Sequence, residues 1–176
     1  IFSNGLPAFK QTFLTYPVTL DAAILDKTGA RDPEVLAKAT ESALRDCGLG
    51  YRAENLLKSA RLLADGTIDL EAIAKQPTAR LRQTLQMLPG VGVKVANCIL
   101  LFAYERLDAV PIDTWIHRIL LAMRKGRDGT PAVLAAYARR RLGPYAGYVQ
   151  QYLFHHARMM KRAGAATSPQ EARHQK

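Results

Sequence analysis

Apolar residues recur at three- and four-residue spacing along almost all of this chain, and short polar or proline–glycine breaks divide the pattern into helices. Asp32-Pro33 reads as a cap with proline at the first helical position. Val35, Leu36, Ala39, Ala43 and Leu44 then share one helical face, and Gly48 stops that helix. Leu56, Leu57, Ala60 and Leu63 mark a helix over 53–64, and Thr67 or Asp69 starts a short one through Ile73. Pro77-Thr78 resets the chain before a helix marked by Leu81, Leu85 and Leu88. Val93–Leu107 is apolar around most of its circumference, the pattern of a buried helix. Asp113 begins a helix through about Met123, and Thr130-Pro131 caps one through Leu142. Gly143-Pro144 breaks the chain before a last helix over 144–162. The tail, 163–176, is small and polar and is expected to be flexible. No convincing period-2 segment occurs, although Val18–Leu25 is ambiguous, so the expected fold class is all-α. Residues 1–30 carry Phe9, Phe13, Leu14 and Tyr16, which are expected to pack on the core.

Composition narrows the function classes. The chain has 176 residues, 48% of them hydrophobic, enough for one substantial core or two small ones. Lys plus Arg outnumber Asp plus Glu by 25 to 15, a net charge of +10, which suits a polyanionic partner. The two cysteines, Cys47 and Cys98, both fall in helical text and cannot supply the four thiolates of an iron–sulfur cluster. They also argue against a disulfide framework and for a reducing compartment. No apolar run is long enough to span a membrane and no secretory leader is legible, so neither a membrane nor secretion is expected.

Two stretches carry chemistry. Leu88-Pro-Gly-Val-Gly-Val-Lys94 joins two helices through a glycine turn. Gly90 and Gly92 permit a tight reversal and close approach of a ligand, and their N–H groups, with that of Val93, suit a phosphate. Packing alone could also explain the glycines. Lys94 stands in the first turn of the following helix, where its charge opposes the helix dipole. Partial burial there is expected to lower its pKa, and a neutral amine is a nucleophile able to form a Schiff base; a solvated phosphate contact is the plainer role. The second stretch, Val110-Pro-Ile-Asp-Thr-Trp115, places Asp113 as an N-cap. A carboxylate so held stays ionised and can also stabilise positive charge. Arg118, Arg124, Lys125 and Arg127 follow it, Arg139, Arg140 and Arg141 end the next helix, and His155 and His156 suit surface or phosphate roles.

Leu88–Lys94 followed by Val110-Pro-Ile-Asp113 resembles the helix-hairpin-helix/Gly-Pro-Asp superfamily of base-excision DNA glycosylases. Cys47-Gly-Leu-Gly-Tyr-Arg-Ala53 and Leu142-Gly-Pro-Tyr-Ala-Gly-Tyr-Val-Gln-Gln-Tyr-Leu-Phe154 are similar to its 8-oxoguanine branch, and the likeness covers about residues 35–160. The resemblance implies one glycosylase domain over 1–162, with the helix-hairpin-helix at about 79–107 and two helical subdomains flanking an active-site cleft. It implies a bifunctional glycosylase/AP lyase of base-excision repair that flips a damaged base out of duplex DNA. The amine at Lys94 attacks the sugar C1′, and β-elimination from the imine nicks the strand. The carboxylate at Asp113 stabilises the oxocarbenium character.

The resemblance also assigns the binding positions. Gln150 reads the flipped base, Phe154 stacks on it and Cys98 lies on its other face. Tyr51 wedges beside the opposite base, Arg52 bonds the estranged cytosine, and Asn4 is a candidate for the asparagine that reads that cytosine. Core packing also explains Phe154 and Cys98. Trp115 stands where eukaryotic members carry a phosphate-binding histidine, which leaves it to pack or to touch the sugar. Carbonyls of Met87–Val93 would hold a monovalent cation; no other cofactor is implied. The expected partner is double-stranded DNA with a damaged base, bound by a monomer in the bacterial cytoplasm and nucleoid or the eukaryotic nucleus. The larger members' N-terminal β-rich domain is not legible, which fits a fragment or a shorter member. The alternatives are a glycosylase for oxidised pyrimidines or alkylated purines, and a non-catalytic helix-hairpin-helix module; the module needs neither Asp113 nor Gln150 and Phe154.

Overall fold

The computed structural model describes residues 32–125 and 129–166, and every regular element among them is helical. Residues 1–31, which include Asn4, Phe9, Phe13, Leu14, Tyr16 and Val18–Leu25, lie outside the described residues, as do Arg127 and 167–176. The chain divides after Arg106 into two compact units. No helix of the described residues is long and apolar enough to cross a membrane.

The first unit holds helices α1 (Pro33–Ala37), α2 (Glu41–Leu44), α3 (Arg52–Ala64), α4 (Leu70–Ala74), α5 (Thr78–Leu85) and α6 (Val93–Ala103). Asp32 caps α1 through Glu34 N–H, with Pro33 behind it. The single helix expected from Val35 to Leu44 is broken. Thr40 takes extended backbone and its hydroxyl accepts from Ala43 N–H, so it restarts the chain as the cap of α2. A hydroxyl three residues ahead of a helical amide competes with continuation, which apolar spacing cannot register. One wider turn, Arg45–Leu49, follows and passes through Gly48 at φ +82°. Leu36, Leu44, Leu49, Ala53, Leu57 and Ala60 close into a core that seats α1 on α3. At α4 the cap is Asp69 and not Thr67, its carboxylate accepting from Glu71 and Ala72 N–H.

Helix α6 stops at Ala103, short of the expected Leu107. Tyr104 turns inward and donates from its hydroxyl to Leu70 C=O at 3.1 Å. Glu105 then takes φ +52°, and Arg106 N–H returns to Leu100 C=O. Burial, reinforced by the Asp69 carboxylate, pushes the Tyr104 phenol above its usual ionisation, so it stays a donor. The Arg106 guanidinium reaches Ala74 and Gln76 C=O, tying the end of α6 to the chain before α5.

The second unit holds α7 (Thr114–Met123), α8 (Pro131–Leu142), a 3₁₀ turn over Gly143–Tyr145, and α9 (Ala146–Ala166). Thr130 caps α8 through Val133 N–H, with Pro131 behind it. Val110, Ile116, Leu120, Leu134, Ala135, Ala138 and Ala146 form its core, with Leu153 and Phe154 packed alongside. Helix α9 continues to Ala166, beyond the break expected near Arg162.

Candidate functional site

The turn between α5 and α6 follows from two residues. Val91 N–H donates to Leu88 C=O at 3.0 Å, closing Leu88-Pro89-Gly90-Val91 as a β-turn with proline second and glycine third. Gly90 has φ +79°, and a Cβ there would lie 2.9 Å from Asn55 Nδ2 on α3. Fold geometry alone therefore requires glycine at 90. Gly92 differs: its backbone is extended at φ −81°, and a Cβ there would meet nothing within 4 Å. Its carbonyl accepts from Ala96 N–H, making it the N-cap of α6, and no side chain caps that end. Backbone N–H groups of an uncapped first turn beside an unhindered glycine are suited to an anion.

The two glycines should therefore respond differently to substitution. Gly90→Ala forces an L side chain into left-handed backbone against Asn55 and should destabilise the protein by about 1–2 kcal/mol. Gly92→Ala should leave stability within about 0.5 kcal/mol and weaken anion binding at the turn instead. Thermal melts and polyanion titrations of both variants separate the two roles. Equal behaviour in both measurements would contradict them.

Lys94 is half-buried at the second position of α6. Helices α1, α2, α3 and α4 each carry a glutamate in the first turn, matching the positive end of the helix dipole, whereas α6 carries this lysine. Cys98, one turn on, is 4% exposed within the same apolar helix. Tyr51 and Arg52 open α3. The Tyr51 ring is 73% exposed, with the Arg52 guanidinium 4.9 Å from its centroid. Helix α3 also supplies Asn55 against Gly90 and Ser59, whose hydroxyl donates to Pro89 C=O at 3.4 Å. The first unit therefore gathers the hairpin, Lys94 and Cys98 with the helix that presents Tyr51 and Arg52.

In the second unit Asp113 caps α7, its carboxylate accepting from Ile116 N–H at 2.8 Å while its carbonyl accepts from His117 N–H. The carboxylate is half-buried at the positive end of the helix, where the cap bond fixes its orientation. Trp115 is half-buried on the first turn of the same helix. Gln150 is 4% exposed, and its Oε1 accepts from Gln151 Nε2 at 2.7 Å. Phe154 packs on the unit's core with the Arg158 guanidinium 5.6 Å from its ring centroid. Gln150 and Phe154, four residues apart, share one face of α9. Arg124 lies 5.5 Å from the Tyr137 ring centroid, so part of the basic set after Asp113 packs locally. Arg139, Arg140 and Arg141 end α8, where cations also suit the dipole.

Sequence reasoning missed Asn55, Ser59, Gln151, and the buried Asn97 with its partner Arg82. Of these only Asn97 carried a legible signal, as an amide inside an otherwise apolar helix.

Comparisons with known proteins bear on the family and the fold. The sequence profile of the HhH-GPD superfamily of base excision DNA repair proteins matches residues 8–142. The chain is 43% identical over 115 residues to a probable N-glycosylase/DNA lyase of Methanothermobacter thermautotrophicus, covering 65% of this chain and 36% of that protein. It is 33% identical over 130 residues to an N-glycosylase/DNA lyase of Arabidopsis thaliana, covering 68% and 36%. The fold also matches a Clostridium acetobutylicum 8-oxoguanine glycosylase/lyase solved with duplex DNA carrying cytosine opposite the lesion. That match has TM-score 0.68 and 29% identity, covering 73% of this chain and 44% of that one. The chain thus spans less than half the length of these relatives.

Proposed function

This chain belongs to the HhH-GPD superfamily of base excision DNA repair proteins, and we propose that it is a bifunctional DNA glycosylase and AP lyase that removes 8-oxoguanine from duplex DNA. The observation that carries the reading is Lys94, a half-buried cation set at the positive end of α6 directly behind an uncapped glycine turn. Such a placement costs stability and is useful to a nucleophile held beside a bound phosphate.

In this reading N–H groups of Gly92 and Val93 hold a DNA phosphate. Carbonyls of the Met87–Val93 segment would hold a monovalent cation that offsets phosphate charge. The Leu88, Pro89 and Gly92 carbonyls already accept bonds from the chain, and the neutral oxygens of the segment suit such an ion. The Lys94 amine attacks C1′ as the bond from C1′ to the base nitrogen breaks and its electron pair leaves with the base. Loss of the amine proton and ring opening give the imine. Removal of a C2′ proton then expels the 3′ phosphate by β-elimination. Asp113, its carboxylate held by the cap bond from Ile116 N–H, stabilises positive charge on the sugar. Gln150 and Phe154 read and stack the base, Cys98 lines its other side, and Tyr51, Arg52 and Trp115 contact the remaining duplex. The work of such an enzyme lies at the genome, in the nucleoid of a bacterium or the nucleus of a eukaryote.

A lesion panel tests this function. Duplexes carrying 8-oxoguanine opposite cytosine should be depurinated and nicked faster than duplexes carrying an oxidised pyrimidine or an alkylated purine. Preference for either of those would move the substrate to that class, and binding with no base release on any lesion would leave a non-catalytic DNA-binding module. Phosphate contacts also predict that affinity falls at least about tenfold between ~50 and ~200 mM salt; a salt-independent affinity would contradict the hairpin's role as a phosphate site.

A further inference from the structure

Helix α6 is the most apolar helix described, yet Asn97 lies inside it at 5% exposure. Its Oδ1 accepts a hydrogen bond from Arg82 Nε at 2.8 Å, and Arg82 belongs to α5. The bond therefore joins the two arms of the hairpin just beyond its turn. A buried amide in apolar surroundings costs about 1–3 kcal/mol unless paired. A leucine in its place would avoid that cost, and Arg82, which is only half-buried, can turn its charge to water when the acceptor is lost. What apolar packing supplies less well is one orientation, because a directional bond fixes both rotation and axial register. Asn97 is three residues beyond Lys94 and Cys98 is four, so all three lie along neighbouring rows of α6.

We infer that the Arg82–Asn97 pair is a positioning device for the reaction, locking the rotation of α6 against α5 so that the Lys94 amine points along one line. The inference rests on the proposed lyase chemistry. Neither residue touches substrate in it; both act through Lys94. Asn55 and Ser59 brace the turn from the α3 side and hold the phosphate-binding end, whereas Arg82 and Asn97 hold the direction of the nucleophile. Grip on DNA and speed of attack are therefore separable.

The test uses single-turnover borohydride trapping on an 8-oxoguanine duplex, affinity for a duplex with an uncleavable abasic-site analogue, and thermal melting. Asn97→Leu should lower the trapping rate about 10²-fold, the usual cost of misplacing a reacting group by an ångström. Affinity for the abasic duplex should stay within about threefold, and the melting temperature should hold or rise. Asn97→Asp keeps an acceptor oxygen for Arg82 and should recover most of the rate. If Asn97→Leu does not fold, the trapping rate and the affinity of Arg82→Met are read in the same way, with a lower melting temperature expected from the buried amide that loses its partner. A wild-type trapping rate in the apolar variant, an equal fall in rate and affinity, or no recovery in Asn97→Asp would each overturn the inference. An absence of wild-type adduct would instead sink the lyase reading itself.

Discussion

Lys94→Gln is expected to abolish the borohydride-trapped adduct and to lower base release and strand scission at least about 10³-fold, a loss typical of removing a covalent nucleophile. Glutamine is close in length, keeps a polar end and removes both the charge and the nucleophilic nitrogen. The folded protein should tolerate this well. A cation at the second position of α6 opposes the dipole, so its removal is expected to stabilise by about 0.3–1 kcal/mol. DNA binding should persist, because the proposed function assigns the grip on the backbone to the hairpin N–H groups and not to the amine. The combination of lost chemistry, preserved binding and equal or greater stability marks a residue kept for catalysis at the expense of the fold. A variant that lost DNA affinity and kept strand scission would make Lys94 a phosphate contact.

The second large effect separates the two roles of Asp113. Its carboxylate caps α7 at Ile116 N–H, and any capping residue there would do that work. Asp113→Asn retains an acceptor oxygen and should melt near the wild type. The loss of negative charge should lower turnover about 10²-fold, the scale for removing one electrostatic stabiliser of a transition state. Asp113→Ala should show the same catalytic loss together with about 1 kcal/mol of destabilisation from the missing cap. Kinetics and denaturation read on both variants therefore form a cross. If Asn restored turnover, the carboxylate would be a cap alone.

These effects rest on a local geometry that was largely legible in the chain. Asp32-Pro33, Asp113 and Thr130-Pro131 cap helices as their residue types require, because capping is decided within three or four residues. Pro89-Gly90 likewise determines its turn locally, through the fixed φ of proline and the positive φ of glycine. What escaped was decided by contacts distant along the chain. Helix α6 ends at Ala103 because Tyr104 bonds Leu70, thirty-four residues away, and periodicity carries no trace of that bond. Gly90 and Gly92 looked alike in sequence and differ because Asn55 of α3 lies against one and not the other. The pairing of Arg82 with Asn97 joins two helices across fifteen residues, and no local pattern marks it. The break at Thr40 is local: its hydroxyl caps α2 inside a run whose apolar spacing is continuous.

The central claim is that Lys94 forms the covalent bond to the sugar. The most direct measurement is borohydride reduction of the protein mixed with an 8-oxoguanine·cytosine duplex, followed by peptide mapping of the cross-linked chain. One adduct is expected, with the DNA remnant on the Lys94 side chain. An adduct mapping to another lysine, or base release with no adduct at all, would contradict the claim.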